Sequence, residues 1–110
     1  MIHLQHHSND PGFVTVIFEL PAQLWADKVS LAGDFNNWNK HGLSIRHDRD
    51  GCWRLRMLMV TGRCYQFCYV VDGAWFCEPS TPSTSVLVPN VGQRIVSVLD
   101  TSLPLKKIAV

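Results

Sequence analysis

The side chains of this 110-residue chain that could do chemistry are nine carboxylates, five histidines, four cysteines and four tryptophans. The carboxylates are Asp10, Glu19, Asp27, Asp34, Asp48, Asp50, Asp72, Glu78 and Asp100. Most sit beside glycine or proline, where turns use aspartate for its bonds to the backbone. Glycoside hydrolysis needs two carboxylates facing each other across a cleft, and no such pair stands out. His3, His6, His7, His41 and His47 fall in a tail or in loops, and no serine or cysteine sits in a nucleophile motif. No catalytic residue and no cofactor is expected.

Spacing limits what the cysteines can do. Cys64 and Cys68 share one face of a strand, but four residues of strand separate them by roughly 13 Å. Two sulfurs on one zinc ion lie within about 4 Å of each other, so this pair holds no metal, and the chain has no C-x-x-C. Cys68 and Cys77 differ. With Asp72-Gly73 as a two-residue turn, Val71 opposes Ala74, Val70 opposes Trp75, Tyr69 opposes Phe76 and Cys68 opposes Cys77. The last is a non-hydrogen-bonded pair with Cα atoms about 4.5 Å apart. A disulfide is sterically conceivable there; in a reducing compartment all four are expected as free thiols.

The tryptophans carry most information. Trp53 lies in an apolar stripe and Trp25 beside the start of a strand, both suited to a core. Trp38 follows polar loop residues, and the hairpin register aims Trp75 away from Phe67 and Tyr69, onto the face of Gln66, Cys68 and Cys77. Three readings stay open for Trp38 and Trp75. They form an aromatic platform for sugar rings, they pack into the core from a curled loop, or they belong to a protein interface, where Trp is also enriched.

The elements that must position these residues are strands. Phe13–Leu20 places Val14, Val16, Phe18 and Leu20 on one face, Cys52–Val60 does so with Trp53, Leu55, Met57 and Met59, and Cys64–Val71 with Tyr65, Phe67, Tyr69 and Val71. Shorter strands are predicted at 28–32, 43–46, 74–77 and 94–99, separated by turn residues such as Asp48-Arg49-Asp50-Gly51 and Asp72-Gly73. Seven strands at 8–12-residue spacing with no helical period predict an antiparallel β-sandwich. Its core comprises Val14, Val16, Phe18, Leu31, Trp53, Leu55, Met57, Tyr65, Phe67 and Tyr69. One domain is expected over 13–99, with a flexible N-terminal tail at 1–12 and a C-terminal tail at 100–110 in which Leu103-Pro104-Leu105 packs locally. A net charge of +1 lacks the basic excess that gripping nucleic acid or an anionic membrane requires. No apolar run approaches the roughly 18 residues of a membrane span, and the N-terminus lacks the form of a signal peptide. A soluble, cytoplasmic chain is expected.

Val29-Ser30-Leu31-Ala32-Gly33-Asp34-Phe35-Asn36-Asn37-Trp38 resembles the signature V-x-L-x-G-D/S-F-N-x-W of the family-48 carbohydrate-binding modules. These include isoamylase N-terminal (early set) domains, found as accessory domains of glycoside hydrolases, and the glycogen-binding domain of the AMP-activated kinase beta subunit. Asp50-Gly51-Cys52-Trp53, Gly62-Arg63-Cys64-Tyr65-Gln66-Phe67, Val71-Asp72-Gly73-Ala74-Trp75 and Glu78-Pro79 follow in the family's order. The resemblance implies an immunoglobulin-like (early set) antiparallel β-sandwich of about seven strands. It also implies a non-catalytic module that stacks glucose units of glycogen or starch on Trp38 and Trp75. The family's basic residue four before the turn aspartate falls at Cys68, and its late amide is matched only loosely by Asn90 or Gln93. The expected site is a shallow platform of exposed Trp38 and Trp75, with Gln66 nearby and Asn36, Asn37 or Asn90 at the rim. The partners implied are an α-glucan, bound weakly, and a protein such as a glycogen-metabolising enzyme. The alternative is a protein-interaction or structural early set domain that has lost sugar binding.

Overall fold

The computed structural model describes residues 1–102 and consists of two antiparallel sheets packed face to face. The strands are β1 (Ile2–His7), β2 (Asp10–Leu20), β3 (Val29–Gly33), β4 (Leu43–Ser44), β5 (Arg46–His47), β6 (Trp53–Val60), β7 (Cys64–Val71), β8 (Ala74–Phe76), β9 (Ser83–Val88) and β10 (Gly92–Asp100). The first sheet runs β1-β2-β6-β5. The second runs β4-β3-β7-β10-β9, with β8 also paired to β7.

Alternation of side chains decides which face each strand buries. Val14, Val16, Phe18 and Leu20 are buried from β2, as are Phe67 and Tyr69 from β7. The two sheets meet where the Phe18 and Phe67 rings stand edge to face, centroids 5.2 Å apart. Leu55, Met57 and Tyr65 pack against this core while remaining partly accessible. The β-sandwich expected from the alternating stripes is therefore present, with about ten strands in place of seven.

The three extra strands have distinct origins. Residues 1–12 are not a loose tail: Ile2, Leu4 and His6 alternate with exposed residues, and β1 pairs with β2 in the register Ile2↔Phe18, Leu4↔Val16, His6↔Val14. That pairing covers an edge of β2 that would otherwise present bare backbone groups. Ser83–Val88 pairs with β10 from Ser97↔Ser83 to Gly92↔Val88, although serine, threonine and flanking prolines make it read as irregular. The single strand expected over 43–46 divides at Ile45. Ser44 pairs with Ser30 in the second sheet and Arg46 with Arg54 in the first. Ile45, buried, donates its amide to Val29 O at 2.8 Å and forms the crossing. Of the expected C-terminal tail, Thr101 is buried and its hydroxyl donates to Val60 O at 2.7 Å; Leu103-Pro104-Leu105 lies outside the described residues.

Trp25 departs from expectation most. It is 94% exposed. Leu24 and Ala26 on either side pack against the core, so the residue between them points outward. The space at the strand start is held by Trp53, whose indole nitrogen donates to Leu24 O at 3.4 Å and whose ring stacks on His47 with centroids 4.4 Å apart.

Candidate functional site

The loop after β3 begins at Gly33, where a side chain has no room. A Cβ there would lie 2.4 Å from the Phe35 ring and 2.7 Å from Gln66 O. The chain then makes one 3-10 turn over Asp34–Asn36 and enters two consecutive left-handed residues, Asn37 (φ 56°) and Trp38 (φ 58°). Left-handed backbone is a routine choice for asparagine and a costly one for an aromatic residue, about 1–2 kcal/mol. It persists where the surroundings over-determine it. Here Trp38 N donates to Gly33 O at 2.8 Å. Asn36 accepts from Gly33 N at 3.0 Å and donates through Nδ2 to Leu31 O and Asn39 O, both at 3.3 Å. The loop presents the Trp38 ring, and Asn36 is its brace.

Trp75 arrives from the other side on β8. The turn residues Asp72 (φ 48°) and Gly73 (φ 88°) are both left-handed, as a two-residue type I′ hairpin requires. The register places Trp75 opposite Val70, on the outer face of the second sheet with Gln66 and Cys68. Asp72 also anchors the preceding loop, its carboxylate accepting from Asp27 N at 3.0 Å and Lys28 N at 2.8 Å.

Trp38 and Trp75 meet with ring centroids 6.4 Å apart and planes inclined at 51°. They are half-buried, where open exposure was expected. Beneath them lies a second small core of Cys68, Val88 and Val96, all buried, against which Val86, Val91 and Cys77 also pack. The β9–β10 hairpin supplies most of that floor, and because β9 reads as irregular the floor was not anticipated.

The amides expected around the pair occupy different positions. Gln66 is partly buried on the same sheet face, its backbone N held by Asp34 Oδ2 at 3.2 Å. Asn90 is exposed in the β9–β10 turn (φ 63°), between Val88 and Val91 of the small core. Asn37 is exposed beside Trp38. Asn36 has its side-chain oxygen and nitrogen committed inside the loop.

Basic residues missed by the sequence reading sit close by. Lys28, Lys40 and His41 line a hollow of about 80 Å³ with Ser30, Val70 and Gly73, and Val70 is the cross-strand partner of Trp75. Ser30 Oγ donates to Lys40 O at 2.6 Å, fixing the loop here. Lys40 and His41 follow directly on Trp38-Asn39, which was the available signal.

Other polar groups are taken up by structure. Arg54 bonds Glu19, Asp48 and Asp50 at 2.8, 3.0 and 2.8 Å on the outer face of the first sheet. Glu19 is held below the usual carboxylate range by hydrogen bonds from His3 and Arg54, and Asp50 by Arg54 and the Cys52 amide. Glu78 is buried, accepting from Tyr69 Oη at 2.6 Å, Ser80 Oγ at 2.7 Å and the chain's amino group at 2.8 Å. Burial alone would raise its carboxyl. The amino group, Tyr69 and Ser80 outweigh that and lower it. Burial, reinforced by Glu78, pushes the Tyr69 phenol upward. Glu78 lines an open, mostly apolar cleft of about 490 Å³ with Met1, Glu19 and Pro21, but its oxygens are already bonded. Among the described residues, no three histidine, cysteine or carboxylate groups converge to hold a metal ion. Nor is any described helix long and apolar enough to cross a membrane.

Comparison with known protein families matches residues 5–98 to the model described as the glycogen recognition site of AMP-activated protein kinase. A search of curated proteins finds no match.

Proposed function

The chain belongs to the family of the glycogen recognition site of AMP-activated protein kinase, and from that premise we propose that it is a non-catalytic module binding α-glucans through Trp38 and Trp75. The observation that carries this reading is the pair of rings 6.4 Å apart and inclined at 51°. A flat β-linked glucan stacks on coplanar aromatic rings, whereas the curved backbone of an α-1,4-glucan turns between successive sugars and suits an inclined pair. The apolar C–H face of each glucose covers an indole, and polar side chains meet the hydroxyls around the edge. Asn37, Asn90 and Gln66 are the amides for that edge. Lys40, which lines the hollow beside Val70, takes the part of the cation that is absent at Cys68.

Two stacks at about 1 kcal/mol each, by analogy with aromatic pairs, and one exposed cation place affinity for a short maltodextrin at roughly high micromolar to millimolar. The weak affinity suits a long polymer that offers many overlapping sites. A protein such as a glycogen-metabolising enzyme is the partner that such a module would hold close to its polymer.

A second reading, a protein-docking domain, draws on the almost fully exposed Trp25, since exposed Trp is enriched at interfaces. Sedimentation with insoluble starch or glycogen separates the two. The wild type is expected to co-sediment and the Trp38→Ala/Trp75→Ala variant to stay in the supernatant. A wild type that stays in the supernatant removes the glucan reading and leaves docking.

A further inference from the structure

One edge of β7 is shared by two strands. Its other edge pairs with β3 over residues 67–71, from Gly33↔Phe67 to Val29↔Val71. On the shared edge, residues 64–67 pair with β10 and residues 69–71 with β8. Cys68 falls at the seam where β10 leaves and β8 takes over. Cys77 lies one position beyond Tyr69↔Phe76, which brings it opposite Cys68.

The seam leaves the Ile95 carbonyl of β10 without a strand partner on β7, and both thiols turn to it. Cys77 Sγ lies 3.0 Å and Cys68 Sγ 3.6 Å from Ile95 O. Neither is in a disulfide. Both sulfurs lie against one oxygen, and continuing the β7–β8 register by one residue makes Cys68 and Cys77 a non-hydrogen-bonded pair, a type whose Cα atoms stand about 4.5 Å apart, inside the range a disulfide spans.

We propose that Cys68 and Cys77 form a dithiol modification site, closed to an intrachain disulfide by a low-molecular-weight disulfide, and that closure acts on the Trp38–Trp75 pair. The half-buried Cys77 is the accessible thiol and Cys68 the fully buried one, which sets the order of events. The Cys77 thiolate attacks one sulfur of the small disulfide, whose S–S bond breaks and releases one thiol. Cys68 then loses its proton to solvent and attacks Cys77 Sγ in the mixed disulfide, expelling the second thiol. The protein loses two protons and two electrons, and the small disulfide takes up both to become two thiols. Burial, with the neighbouring Cys77 sulfur adding to it, pushes the Cys68 thiol up to about 12, so the second step is slow near neutral pH and accelerates as pH rises. Both cysteines pack in the small core under Trp38 and Trp75, and Cys77 is two residues from Trp75 on the same arm. Closure therefore pins that arm to β7.

The site does not depend on what the tryptophans bind, and the test is made without sugar. Folded protein is incubated with oxidised glutathione, then examined by intact mass, thiol alkylation, peptide mapping and tryptophan emission. Expected is the loss of two of the four thiols, a mass lower by two hydrogens, a Cys68–Cys77 linked peptide and shifted emission that dithiothreitol reverses. The Cys52→Ser/Cys64→Ser variant should behave identically, and Cys77→Ser should show neither closure nor emission shift. A glutathione adduct on Cys77 that persists even when the pH is raised overturns the closure, as does modification of Cys64 with Cys68 and Cys77 still free. Closure with unchanged emission overturns the coupling to the tryptophan pair.

Discussion

Replacing Trp75 by alanine should weaken both the domain and its hold on sugar, in amounts the geometry sets. The ring is half-buried on Cys68, Val88 and Val96. A fully buried Trp→Ala change costs about 3–5 kcal/mol, so this one should cost about 2 kcal/mol. With an unfolding entropy of about 2.1 cal/mol/K per residue, a 110-residue chain should lose about 9 °C in Tm. One lost stack of about 1 kcal/mol raises the Kd for maltoheptaose about fivefold, and Trp38→Ala should do the same. The double variant should lose about twenty-five-fold if, as proposed, each ring stacks on its own sugar. Trp25→Ala is the internal control: its ring is 94% exposed, so Tm should move within about 0.5 kcal/mol of stability and affinity should hold. Titration followed by amide chemical shifts at temperatures well below every Tm keeps binding separate from unfolding. A Trp25→Ala loss equal to that of Trp75→Ala would refute the assignment of the site. So would wild-type binding that neither Trp38 nor Trp75 alters.

Lys40→Ala should lower maltoheptaose affinity about threefold, the worth of one exposed hydrogen bond, with Tm unchanged; an unaltered Kd would remove Lys40 from the site. Tyr69→Phe takes away a buried donor to a carboxylate and should cost about 2 kcal/mol, read from the urea midpoint, and a neutral result would contradict the buried pairing with Glu78. Glu19 and Glu78 both have folded values below the ordinary 4.5. Their contribution is therefore present above pH 4.5 and lost as pH falls through their folded values, so the urea midpoint should drop on acidification below about pH 4.5. A midpoint that rises there would reverse the sign of the argument.

Legibility in the sequence followed how strongly each segment is patterned. β2 and β7 carry period-two stripes of β-branched and aromatic residues, so their inward faces could be read directly, as could the Asp72-Gly73 turn that sets the position of Trp75. β1 has the same alternation, but histidine and glutamine dilute it, and only the pairing with β2 reveals it. β9 is polar in sequence and apolar in use: Val86 and Val88 reach the small core while its serines stay outside. Missing β9 meant missing the floor beneath Trp38 and Trp75, and hence their partial burial. Trp25 was misplaced because hydrophobicity says nothing about which of three neighbours, Leu24, Trp25 or Ala26, faces inward. That Lys40 and Val70, thirty residues apart, line one hollow is a tertiary arrangement of loop and strand with no local signature.

The crossing at Ile45 has a mechanical side. A sandwich whose sheets touch only through side chains resists sliding by friction between greasy surfaces. Here a continuous backbone passes from one sheet to the other, clamped by Ser30↔Ser44 on one side and Arg46↔Arg54 on the other, with Ile45 inserted between them and its amide tied to Val29. Shear of one layer over the other must stretch covalent chain at this corner before it can disturb the aromatic pair on the outer face. The rivet therefore lets a lateral pull on the outer face run into both layers at once.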